Sequence, residues 1–244
     1  MVKIPVYFFC ALFFLFCAGN ATASQKKVVT PKAAISVNYW GSSLYKSFPT
    51  RNEKSKQGFF PVFIGAVKVA DRLSATGEWG KSGYSVISPS RQSNLPEKAS
   101  RTVLGVKYDV MPGVYAALSF PYMKLQQDND LNYKMTATIS GVQIGGGLSM
   151  YIKEPHLGAG LEFNMVPRMN VKYVSPTMRS KADGTGMDIK VLLSYKFNDP
   201  RFSIHAGYRY MSLNAGEALV SGVTAVPSVN YRLRGPFMGV KYAF

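Results

Sequence analysis

The chain has 244 residues, with 29 Lys and Arg against 13 Asp and Glu for a formal net charge of +16. Charged residues make up only 17%, below the ~25% usual in a soluble domain, whereas 13% are aromatic and the mean hydropathy is −0.01. Both cysteines, Cys10 and Cys17, fall within the first 23 residues, which excludes a disulfide-stapled scaffold and any thiolate metal site beyond them.

The N-terminus reads as an export signal. Lys3 supplies the positive start, Ile4 to Phe16 the apolar run, and Ala21-Thr22-Ala23 the small-residue cleavage site. The run is shorter than the roughly 20 residues a spanning helix needs. Lipidation at Cys17 is disfavoured by the bulky Phe16 before it. Signal cleavage after residue 23 removes Lys3 and no acid, so the charge falls from +16 to +15. Residues 24–34 are expected to be a short periplasmic segment. Export argues against nucleic acid as the partner of this basic chain. The expected partners are outer-membrane lipid and lipopolysaccharide, whose phosphates are the available polyanion; solvated loop charges are the alternative reading.

From residue 35 onward the pattern has period two. The first expected strand, 35–45, puts Ile35, Val37 and Tyr39 on one face. The next, 58–69, sets Phe63, Val67 and Val69 against Lys68, and turns through Ala70-Asp71-Arg72 into 73–85, where Leu73, Ala75 and Trp79 oppose Ser74, Thr76 and Glu78. In 102–110, Leu104, Val106, Tyr108 and Val110 oppose Gly105, Lys107 and Asp109; the turn Met111-Pro112-Gly113 leads into 114–126, where Leu118, Phe120 and Tyr122 oppose Tyr115, Ala117 and Ser119.

The strand 135–152 changes phase. Ala137 and Ile139 are odd, but Val142, Ile144, Leu148 and Met150 are even, so a bulge near Ser140-Gly141 is expected. After the turn 153–156, the strand 157–173 alternates cleanly: every odd residue from Leu157 to Tyr173 is apolar, and Glu162, Arg168 and Lys172 are even. Met187, Ile189, Val191 and Leu193 oppose Asp188, Lys190 and Lys196 in 187–197; beyond Asn198-Asp199-Pro200, Ile204, Ala206 and Tyr208 oppose His205 and Arg209 in 201–213. The last strand, 229–244, again shifts phase around Gly235-Pro236, and a second bulge is expected there.

Ten strands, short turns at one end and longer loops (46–57, 86–100, 127–134, 174–186 and 214–228) at the other predict an all-β fold. It is a membrane-spanning antiparallel up-and-down β-barrel over residues 35–244, with eight strands as the fallback count. Lipid cannot satisfy an open sheet edge, so the sheet must close. Aromatic girdles are expected from Tyr108, Tyr115, Tyr151, Tyr195, Phe197, Phe202 and Phe244 at the turn end, and from Trp79, Tyr84, Tyr122, Tyr173, Tyr210 and Tyr231 at the loop end.

The ending Met238-Gly239-Val240-Lys241-Tyr242-Ala243-Phe244 resembles the C-terminal signature of bacterial outer-membrane β-barrel proteins. The hairpin pattern looks like that of the small opacity-type porins. The resemblance implies a Gram-negative outer-membrane location. It also implies that Val240, Tyr242 and Phe244 form a signature read by the barrel-assembly machinery.

No catalytic, cofactor or metal constellation stands out. The two histidines, His156 and His205, fall near the turn end, and the pairing of His205 with Glu162 or Asp188 is the sole opening for a hydrolase. Gly145-Gly146-Gly147 lacks the Lys-Ser/Thr of a phosphate loop and is expected to admit bulky lumen neighbours. The charges expected inside the barrel are Lys68, Glu78, Lys107, Asp109, Glu162, Arg168, Asp188, Lys190, Lys196, Arg209, Arg232 and Arg234, with His205 among them. Eight are bases and four acids, so the lumen is either a salt-bridged plug or a narrow anion-preferring pore. The leading expectation is a non-enzymatic surface barrel. Its basic loops would serve adhesion, contact a host or cell-surface ligand, or contact lipopolysaccharide; a diffusion channel is the alternative.

Overall fold

The computed structural model describes residues 32–50, 52–56, 58–87, 94–128, 134–153, 156–199, 201–220 and 223–244. The expected signal, residues 1–23, lies outside them. The strands are β1 (Ala33–Ser47), β2 (Asn52–Ser55), β3 (Gly58–Ala70), β4 (Leu73–Ile87), β5 (Asn94–Met111), β6 (Val114–Asp128), β7 (Lys134–Lys153), β8 (Leu157–Val174), β9 (Arg179–Lys196), β10 (Phe202–Ala215), β11 (Ala218–Val220), β12 (Val223–Val226) and β13 (Val229–Ala243). Ten of these run antiparallel in chain order, and β13 pairs back onto β1 to close the barrel. β2 is wedged between β1 and β4 at the loop end, and β11–β12 is a separate hairpin within the last loop.

Each barrel strand matches an expected one. The main difference is length: β5 begins at Asn94 rather than 102, and β9 at Arg179 rather than 187. Much of what reads as loop is therefore strand. The turn after β5 closes on Gly113, whose φ of 79° suits a residue without Cβ.

Toward the turns, apolar side chains face outward. Ile35, Val67, Leu104, Val106, Leu193 and Met238 are all exposed on the outer wall, as acyl chains require. Toward the loops the polarity inverts. Trp40, Leu44, Phe60, Tyr84, Leu125, Val171, Tyr173 and Leu233 are buried inside as a hydrophobic core, and the outer wall carries Lys81, Lys124, Lys172, Lys181, Arg232 and Arg234.

This inversion corrects three readings. In β7, odd residues from Met135 to Gly147 point inward, and Ala137 and Ile139 are buried core rather than lipid-facing, so no bulge is needed at Ser140-Gly141. In β13 the register runs unbroken from Tyr208↔Pro236 to Arg209↔Gly235, and the expected bulge is absent. The apolar Tyr231 and Leu233 simply face the core. A mid-strand bulge does lie in β8, where Val166↔Gly186 is followed by Met169↔Gly184. It flips the phase at Pro167-Arg168, so Met169, Val171 and Tyr173 turn inward while Arg168 turns out. Tyr84, Tyr173 and Tyr231 accordingly belong to the core and not to a girdle, whereas Trp79 and Tyr122 do face outward.

Core and wall should respond differently to truncation. Leu233→Ala is expected to cost about 2–5 kcal/mol, and Lys172→Ala no more than about 0.5 kcal/mol. Urea unfolding in detergent, followed by the heat-sensitive gel shift of the folded barrel, measures both.

Candidate functional site

Three layers fill the lumen. At mid-height is a buried ionic cluster. Arg209 donates from Nε to Asp188 Oδ1 at 3.0 Å and from Nη2 to Asp188 Oδ2 at 2.6 Å, and its Nη1 reaches Glu78 Oε1 at 3.0 Å. Arg101 bonds the same two carboxylates, with Nη2 2.9 Å from Asp188 Oδ2. Lys190 Nζ lies 3.1 Å from Glu162 and 3.6 Å from Glu78, and Lys107 Nζ 3.7 Å from Glu162. The strands place these groups together because the inward positions of β4, β5, β8, β9 and β10 converge at one height. The side chains of Arg101 and Arg209 are 4% exposed, so leaving one unpaired would cost several kcal/mol. Trp40 roofs the cluster, its ring centroid 4.9 Å from the Arg209 guanidinium carbon.

Above this lies the apolar core, crossed by a buried Lys46–Glu97 ion pair and by a 2.5 Å hydrogen bond between Ser42 Oγ and Tyr84 OH. A void of about 20 Å³ lined by Arg101, Gln143, Asp188 and core methionines separates the two layers, room for about one water. Below the cluster, small residues line the wall. Tyr115 packs its ring against Gly147, where a Cβ would fall 2.6 Å from the ring, and Lys107 Nζ sits 4.2 Å over its centroid.

Of the charges expected inside, Glu78, Lys107, Glu162, Asp188, Lys190 and Arg209 meet in or beside the cluster. Lys68 lies 4.0 Å from Asp71 at the turn end, Asp109 is exposed beside its turn, and Lys196 donates to Tyr151 OH. Arg168, Arg232 and Arg234 are corrections. All three point outward: Arg168 is 3.3 Å from Asp183, and Arg234 stacks 4.5 Å over the Tyr45 ring. The reason is the inverted polarity, which puts bases on the wet outer wall once the strand has left the lipid. Lys46, at the edge of an expected loop, and Arg101, between an expected loop and strand, are instead buried inside. Lengthening the alternation of β5 by eight residues would have placed Arg101 inward beside Lys107.

His205 bonds Asn38 through Nε2, and no hydrogen bond joins it to Glu162 or Asp188 among the described residues. His156 donates from Nδ1–H to the Lys196 carbonyl oxygen, 2.9 Å away. Among the described residues no group of three His, Cys, Asp or Glu side chains could hold a metal ion. In the turn before β10, Arg201 holds the Asp199 carboxyl below the usual carboxylate range through side-chain hydrogen bonds.

Above the apolar band the outer wall carries a series of bases. Lys81 follows Trp79 on β4, Lys124 follows Tyr122 on β6, Lys172 and Lys181 are direct partners on β8 and β9, and Arg234 and Arg232 follow Pro236 on β13.

No family model and no curated protein matches the sequence. Among solved structures it is similar to the outer membrane protease OmpT from Escherichia coli, at 8% identity and a TM-score of 0.54, over 91% of this chain and 100% of that one. The chain has the fold of the small bacterial outer-membrane β-barrels. This barrel also matches the beta domain of the Bordetella autotransporter BrkA (12% identity, TM-score 0.48, 88% and 100% coverage) and Neisserial surface protein A (13%, 0.42, 87% and 97%). At such identities the likeness is one of fold.

The cluster holds the barrel by pairing, so removing one partner should hurt more than removing a surface pair. Arg209→Ala is expected to cost about 3–5 kcal/mol, whereas Arg201→Ala, at an exposed pair, should leave the temperature at which the folded gel band disappears nearly unchanged.

Proposed function

We propose that this chain is a non-enzymatic outer-membrane barrel whose rigid body holds a basic collar, and the loops above it, against the lipopolysaccharide layer. The observation that carries this reading is the placement of Lys81, Lys124 and Arg234 on the outer wall immediately above the apolar band, with Arg232, Lys172 and Lys181 further toward the loops. That is the level of the headgroups, where exposed cations meet phosphates. The loops remain the surface for a host or cell-surface ligand.

The packed lumen supports the same reading against the narrow anion channel. Arg101 and Arg209 are spent on Glu78 and Asp188, and the apolar core lies between them and the loops. The bond from His205 to Asn38 weighs against a hydrolase, because the ring nitrogen facing the lumen is already engaged. The final strand suits delivery by the barrel-assembly machinery. Val240 and Phe244 face outward, and the Tyr242 and Phe244 rings meet edge-on at 4.9 Å, leaving a continuous apolar edge until β1 pairs with it.

Replacing Lys172, Lys181, Arg232 and Arg234 together by Ser should weaken binding of purified lipopolysaccharide about tenfold. The wild-type affinity should fall with salt. Unchanged, salt-independent binding in a titration would overturn the collar. Planar bilayers containing the protein should show no conductance steps; regular steps would reinstate the channel.

A further inference from the structure

Among the described residues, the apolar cover of the outer wall is interrupted on β3 and β4. In register across β1, β3, β4, β5 and β6, one row of outward residues reads Ile35, Gly65, Gly77, Leu104, Phe120. The two glycines are direct partners on neighbouring strands, and they form the floor of an open depression of about 340 Å³ on the wall. A Cβ added at Gly65 would meet nothing within 4 Å, and one at Gly77 only Leu104 Cδ2 at 3.7 Å. The row below supplies Val67, Ala75 and Val106. The row above supplies Val37, Phe63, Trp79, Thr102 and Tyr122, with the Phe63 and Trp79 rings stacked 5.8 Å apart over the notch.

One row higher, the same strands present Lys81, Ser100 and Lys124 as successive partners. Two strand spacings of about 4.8 Å separate the lysines, close enough for both ammonium groups to reach one phosphate. A greasy slot, an aromatic rim and a pair of cations thus follow one another up the wall. Acyl chain, interface and headgroup succeed one another in the same order.

We propose that this notch is a specific lipid site. One acyl chain of a lipid A-type phosphoglycolipid lies across Gly65 and Gly77 beneath Trp79, and its phosphate is held between Lys81 and Lys124. The site rests on the collar reading and narrows it to one place. The glycines matter for what they leave empty. A flat wall would give every lipid the same contact, whereas a slot one side chain deep lets a chain bury surface on three sides.

The test is native mass spectrometry of the full chain folded in detergent and mixed with purified bisphosphorylated lipid A. Gly77→Leu and Gly65→Leu fill the slot from the lipid side without touching the core, and the heat-sensitive gel band reports that they fold. Each should lower the bound fraction about tenfold. Lys81→Ser with Lys124→Ser should do the same, and should abolish the preference of the wild type for phosphorylated over dephosphorylated lipid A.

Wild-type binding in the Gly77→Leu and Gly65→Leu proteins overturns the site. So does equal retention of phosphatidylethanolamine, or a wild-type dimer that Gly77→Leu dissociates. If the four-residue collar variant loses lipid A while the slot variants keep it, the collar stands and this site falls. If the wild type binds no lipid A, both fall.

Discussion

The structure depends on the closure of one hydrogen-bonded ladder. β13 pairs with β1 from Ala34↔Ala243 to Ser47↔Asn230, nearly the full length of both strands. In hydrocarbon an unpaired backbone group costs several kcal/mol, so a sheet with two free edges cannot stay there. Closure fixes the even strand count, brings both ends to the same rim, and separates an inner wall from an outer one. The chemistry of each side chain then follows from which wall it sits on and how high.

Height matters because the barrel is taller than the band of lipid. At the turn end the surroundings are oily and the interior polar. At the loop end the surroundings are wet, and the interior is packed with Trp40, Leu44, Tyr173 and Leu233 like the core of a soluble β-barrel. The ionic cluster of Glu78, Arg101, Asp188 and Arg209 stands where the two regimes meet. Its charges are tolerable there because they neutralise one another within hydrogen-bond distance, and they join β4, β5, β9 and β10 across the lumen. The apolar core seals the loop side of the cluster.

The strands reach the inverted arrangement by two different routes. In β13, and in β7 from Met135 to Met150, the backbone alternates without interruption and the apolar residues change parity. In β8 the apolar residues keep odd parity from Leu157 to Tyr173, and a bulge at Pro167-Arg168 turns the backbone over. Both satisfy one rule, apolar outward below and apolar inward above. A reading that assumes lipid on one side throughout assigns bulges to β7 and β13 and misses the one in β8. It also sends Arg168, Arg232 and Arg234 to the wrong wall.

Strand number, order, turn positions and the assignment of Glu78, Lys107, Glu162, Asp188, Lys190 and Arg209 to one face were legible in the sequence. Period-two alternation is a local property, and it survives wherever the environment of each face stays constant. The inversion was not legible, because alternation records polarity differences between faces and is silent about which face meets lipid. The same silence hid Arg101 and Lys46, which sit in stretches too polar to read as strand. Tertiary structure alone decided where the strands leave the membrane, which carboxylates take which arginines, and that Gly65 and Gly77, twelve positions apart, stand side by side on the outer wall. Register across strands is set by the closure of the whole ring, and no local pattern encodes it.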